Sequence, residues 1–135
     1  MRSFRIVVAG HGDLAAAFAS AAQMICGRIP LLTAVGLQPE DSPESFMERL
    51  VAAAPDPDEP LLLLTDLVGG TPHNVSLTLA RRRPSAVVIS GVNLAVLMEA
   101  AMSGDSLDSE LVARLVSTGR EAMTDGASLV ASRTT

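Results

Sequence analysis

Short apolar runs alternate along the chain with longer segments in which apolar residues return every three or four positions. That alternation of periods is the mark of a βαβα chain winding around a parallel sheet. The first run, residues 4–9, breaks at Gly10-His11-Gly12. A helix is expected from about Asp13, with Leu14, Ala17, Phe18, Ala21 and Ile25 on its inward face. Residues 31–37 read as the second strand. Ser42 then offers an N-cap and Pro43 a first helical residue whose missing N–H costs nothing. Phe46, Met47, Leu50, Val51 and Ala54 line the buried face of that helix.

The segment 55–60 is a surface connection, because the pattern resumes at once. Residues 61–64 are four leucines in a row, as in a strand covered on both faces. The run ends at Thr65-Asp66 and opens into Gly69-Gly70-Thr71-Pro72, where a third helix is expected with Thr71 as N-cap. That helix runs to Arg81-Arg82-Arg83, whose charges oppose its C-terminal dipole. Residues 86–90 form the fourth strand, followed by Gly91-Val92-Asn93 and a helix to about Met102. A last helix is expected over 108–125, with Leu111, Val112, Leu115, Val116, Ala122 and Met123 inward, and 128–131 as a short closing strand. The expected fold is α/β: three layers, α/β/α, around a mainly parallel sheet of about four strands plus that C-terminal strand.

Length and composition narrow the function. The 135 residues suit one domain over 1–135, large enough for a core without disulfides or structural metal. The core must be built from small and aliphatic side chains, since there is no Trp or Tyr and only three Phe. Scarce aromatics and a net charge of −5 argue against nucleic acid as a partner. Every basic residue is Arg, which reads first as a codon effect. Cys26 is the single cysteine, which excludes an internal disulfide and a thiolate cluster. The N-terminal apolar run is too short for a secretion signal, and no stretch approaches membrane-spanning length. A cytoplasmic protein is expected.

Three strands end in residues with chemical capacity: His11, Asp66 and Asn93. In an open parallel sheet these ends meet on one edge, where ligands bind. A carboxylate accepting from imidazole Nδ1–H fixes the tautomer and leaves Nε2 as nucleophile, and His11 with Asp66 fits that pairing. Gly69, Gly70 and Thr71 add backbone approach, a helix start with free N–H groups and a hydroxyl, which together suit a phosphoryl group. Taken singly, each is ordinary: an incidental histidine, a turn aspartate, a glycine turn. Their convergence is what points to a phosphoryl site, with no cofactor and no metal. His73, one turn into the third helix, reads as structural rather than as part of the site. A metal-dependent hydrolase using His11, Asp66 and His73 is a competing reading. Met24, Met98 and Met102 read as core or contact surface.

Gly-His-Gly at 10–12, Asp-Leu-Val-Gly-Gly-Thr-Pro-His-Asn at 66–74, Gly-Val-Asn at 91–93 and the helix 110–121 resemble one family along essentially the whole chain. It is the IIA component of the mannose/fructose/sorbose family of the bacterial sugar phosphotransferase system (PTS). The resemblance implies that His11 is phosphorylated by the carrier protein HPr and donates to a separate IIB component. It implies Asp66 as the carboxylate partner of His11, and Thr71 beside the phosphate. It implies peripheral association with membrane IIC and IID components, and a homodimer in which the C-terminal strand is exchanged. An alternative within the resemblance is a regulatory protein whose His11 phosphorylation state controls a target. Three positions depart from the family pattern: Gly10 for Ser or Thr, His73 for an apolar residue, and Ala95 for Pro.

Overall fold

The computed structural model describes residues 2–104 and 106–134. Four strands, β1 (Arg5–His11), β2 (Leu32–Leu37), β3 (Leu61–Thr65) and β4 (Ala86–Ser90), form one all-parallel sheet in the order β2-β1-β3-β4. The helices are α1 (Leu14–Cys26), α2 (Pro43–Ala53), α3 (Thr71–Arg81), α4 (Leu94–Met102), α5 (Ser109–Glu121) and α6 (Gly126–Thr134).

Strand alternation splits the core into two layers. Ile6, Val8, Leu62, Leu64 and Ile89 face α1, α4 and α5, while Val7, Ala9, Leu61, Leu63 and Val35 face α2 and α3. This makes the three-layer α/β/α fold that the alternating periods predict. Because β1 is central and the chain leaves it first toward β2 and later returns on its other side with β3, strand order reverses between β1 and β3. Their carboxyl ends therefore diverge from a common crevice.

α2 starts as its sequence dictates. The Ser42 hydroxyl accepts from Ser45 N–H, the Ser45 hydroxyl accepts from Ser42 N–H, and Pro43 follows the cap.

Three expectations are corrected. α1 turns Ala15, Phe18, Ala22 and Cys26 inward, leaving Leu14, Ala17 and Ile25 exposed. No charged residue lies between 14 and 26, so polarity could not set the helix phase. Small alanines then let α1 approach the sheet. Residues 128–131 are not a strand but part of α6, which Asp125 initiates by accepting from Ala127 N–H and from the Ser128 hydroxyl. The helix expected over 108–125 stops at Glu121 and leaves Ala122 and Met123 exposed. Among the described residues no helix is long and apolar enough to cross a membrane.

Candidate functional site

The histidine is presented on a strand tip, not in a loop. β1 continues through His11, which pairs with Leu37, and Gly12 N–H donates to Leu37 O at 2.8 Å. The chains approach so closely there that a Cβ on Gly36 would lie 2.1 Å from Gly12 O.

Across the crevice, Asp66 follows the last residue of β3. Its Oδ2 accepts both the backbone N–H and the ring Nδ1–H of His11, each at 2.9 Å. A carboxylate only accepts, so Nδ1 carries a proton, and in the neutral ring the lone pair falls to Nε2. Burial by itself pushes the Asp66 carboxyl upward. The His11 backbone N–H, its ring N–H and the attraction of its ring outweigh that and hold the carboxyl below its ordinary value. Asp66 is 10% exposed and His11 47%, so the partner is sheltered while the nucleophile faces outward. Asp66 Oδ1 is buried, and among the described residues none donates to it.

The two adjacent glycines serve different ends. Gly69 has φ +85°, the left-handed region that favours glycine, and open space around it. Gly70 has φ −75° and ψ 165°, which any residue adopts, but a Cβ there would lie 2.8 Å from His11 Cε1 and 3.3 Å from Nε2. The ring itself requires glycine at 70. Gly70 is also the N-cap of α3, with no side-chain cap, so the free N–H groups and positive dipole end of that helix begin beside Nε2. Gly10 leaves room on the other side: a Cβ there would meet Asp66 Oδ2 at 3.2 Å.

Of the residues singled out in sequence, the structure brings His11, Asp66 and Gly70 together, with Gly69 in the connecting turn. Thr71 is the first helical residue, not the cap. Asn93 lies outside the site: its Oδ1 accepts from Val96 N–H to cap α4, and its Nδ2 donates to Gly119 O of α5. β4 instead contributes Ser90, whose Oγ accepts from the Thr65 hydroxyl at 2.8 Å. The same hydroxyl lies 3.4 Å from His73 Nδ1. A hydroxyl closing each of two paired apolar strands was the sequence signal for this cluster. Among the described residues no group of three or more His, Cys, Asp or Glu is placed to hold a metal. His11, Asp66 and His73 therefore do not form the ligand set that the hydrolase reading needs.

Comparison with known proteins bears on this geometry. Residues 5–116 match the family described as PTS system fructose IIA component. The chain belongs to the PTS fructose/mannose/sorbose IIA family. It is 33% identical over 113 residues to the sorbose-specific EIIA component of Lacticaseibacillus casei, covering 82% of each chain. It is also 33% identical over 120 residues to the mannose-specific EIIAB component of Escherichia coli K12, but spans only 37% of that longer protein. The solved mannose/sorbose-specific IIA subunit from Enterococcus faecalis superposes with a TM-score of 0.86 at 32% identity, over 91% of this chain and 94% of that one. PTS IIA components are phosphotransferases, so membership of the IIA family assigns the chain to the sugar phosphotransferase system.

Proposed function

We propose that the chain, as one IIA domain over residues 1–135, accepts a phosphoryl group on His11 Nε2 from phosphorylated HPr. It then passes the group to a IIB component serving membrane IIC and IID partners, and works in the cytoplasm as a homodimer. The observation that carries this reading is the double acceptance at Asp66 Oδ2, which ties Nδ1 and leaves Nε2 beside Gly70 at the start of α3.

The chemistry balances without a cofactor. The Nε2 lone pair attacks phosphorus in line, and the N–P bond of the donor's phosphohistidine breaks with its electron pair returning to that ring. The His11 ring becomes positive as Nε2 is substituted, and the ionised Asp66 stabilises that charge through Nδ1–H. Because the transition state is loose, positioning and charge stabilisation do most of the work. The α3 N–H groups and the Thr71 hydroxyl are assigned to the phosphoryl oxygens. Transfer to IIB is the same step reversed onto a new acceptor.

Incubation with phosphorylated HPr is expected to add one acid-labile phosphate to the wild type and none to His11→Ala. Labelling of His11→Ala at the wild-type level would overturn the assignment.

A further inference from the structure

The loop that carries Asp66, Gly69 and Gly70 has two ends, and they touch. At one end is Thr65, the last residue of β3 and fully buried. At the other is His73, the third residue of α3. His73 Nδ1 lies 3.4 Å from Thr65 Oγ1, and the Thr65 hydroxyl donates to Ser90 Oγ at 2.8 Å, which leaves its lone pairs to accept from the imidazole. Thr65 is further fixed because its carbonyl accepts from Gly91 N–H and Val92 N–H, both at 2.9 Å.

Besides the two bonds from His11 to Asp66, the described residues give the exposed part of the loop few restraints. Leu67 and Val68 are exposed at 60% and 71%, and α3 has no side-chain N-cap. Inside the loop, Gly70 N–H donates to Leu67 O at 3.3 Å and Asn74 Nδ2 donates to Gly69 O at 3.1 Å. The first lies within the loop and the second between the loop and its own helix. Among the described residues, the contact between His73 and Thr65 is the side-chain bond that joins the helix start to the strand that sets Asp66.

We propose that His73 is a positioning residue, which clasps the base of the 66–72 loop through Thr65 and so holds the Gly70–Thr71 helix start in register with Asp66 and His11. The proposal rests on the phosphoryl-acceptor reading above. Among the described residues, His73 bonds to Thr65, while His11 and Asp66 bond to each other. The effect of His73 is geometric: the loop brings Gly70 against the ring, where an added Cβ would lie 2.8 Å from His11 Cε1.

The test is single-turnover transfer from phosphorylated HPr at increasing carrier concentration, on the wild type, His73→Leu, His73→Asn, Thr65→Val and the double variant His73→Leu/Thr65→Val. Asparagine places an amide N–H where Nδ1–H stood, so it preserves the bond without an imidazole. His73→Leu should lower the maximal rate about three- to tenfold, the span of one modest neutral hydrogen bond. The half-saturating carrier concentration should not move, because docking surfaces are untouched. His73→Asn should recover most of the rate, and the double variant should be no slower than Thr65→Val alone.

A wild-type maximal rate in His73→Leu, or additive losses in the double variant, would overturn the clasp. So would a rise in half-saturating concentration with the maximal rate unchanged. Failure of the wild type itself to label would instead remove the acceptor reading on which the clasp depends, so the two failures are distinguishable.

Discussion

Replacing Gly70 by alanine isolates the claim that the helix start and the imidazole form one fitted unit. The backbone at 70 (φ −75°, ψ 165°) accepts alanine without strain, so the new methyl acts only through what it meets. It meets His11 Cε1 at 2.8 Å. Non-bonded carbons rest at about 3.5–4.0 Å, so ring and helix start must part by roughly 0.7–1.2 Å. The bond from Nδ1 to Asp66 Oδ2 is 2.9 Å. Charge-assisted hydrogen bonds are strongest at about 2.7–2.9 Å and weaken as they lengthen, so a displaced ring loses much of this one. Losing one bond to a charged group costs about 1.5–3 kcal/mol, which corresponds to a transfer rate lower by roughly 10- to 150-fold. Folding should suffer little, about 1 kcal/mol or less for exchanging a glycine cap for alanine. The assay is single-turnover phosphorylation by phosphorylated HPr, with a urea unfolding curve on the same samples. Gly69→Ala is the contrast, since its methyl meets nothing within 4 Å and its burden is the φ of +85°. A Gly70→Ala variant that transfers at the wild-type rate would refute the reasoning.

Other perturbations act on other parts of the site. Asp66→Asn keeps the shape but removes the charge, and should slow transfer by about 10-fold or more while the far-ultraviolet spectrum stays unchanged; an unchanged rate would reduce Asp66 to a turn residue. Asp66 also shapes the acid limb of stability, because its folded carboxyl lies below its ordinary value. Its contribution is therefore complete above the unfolded value of about 3.9 and is lost as pH falls through the lowered folded value. Urea midpoints should show wild type exceeding Asp66→Asn at pH 5 and the margin shrinking toward pH 2; a constant margin contradicts this. Gly36→Ala would press a methyl within 2.1 Å of the Gly12 carbonyl, and should destabilise the fold by about 1–3 kcal/mol in urea unfolding. Thr71→Val should weaken acceptance modestly, by about 1–2 kcal/mol in transfer free energy, if its hydroxyl donates to a phosphoryl oxygen.

Much of this architecture was legible because two periods carry it. Strands such as 61–64 and 86–90 are too short and too apolar to be anything else when helical repeats separate them. Parallel winding then forces His11 and Asp66 to the same edge, so their meeting follows from strand order. What the sequence did not yield has physical reasons. α1 has no charged residue to mark its outer face, so its phase depended on how closely alanines pack against the sheet. Asn93 was a plausible strand-tip ligand until α5 supplied Gly119 O as its partner. The reason for Gly70 became visible only with the ring against it, since a turn glycine and a contact glycine look alike in a string of letters. The 128–131 segment is a short, mostly apolar run that could suit a strand, but Asp125 supplies a helix cap just before it.

Long-range 1H–15N correlation with 31P coupling on 15N-histidine protein reads directly which ring nitrogen of His11 reacts. With Nδ1 tied to Asp66, phosphorylated wild-type protein should carry its phosphorus on Nε2 of His11, with Nδ1 still protonated. Phosphorus on Nδ1, or on His73, would contradict the account.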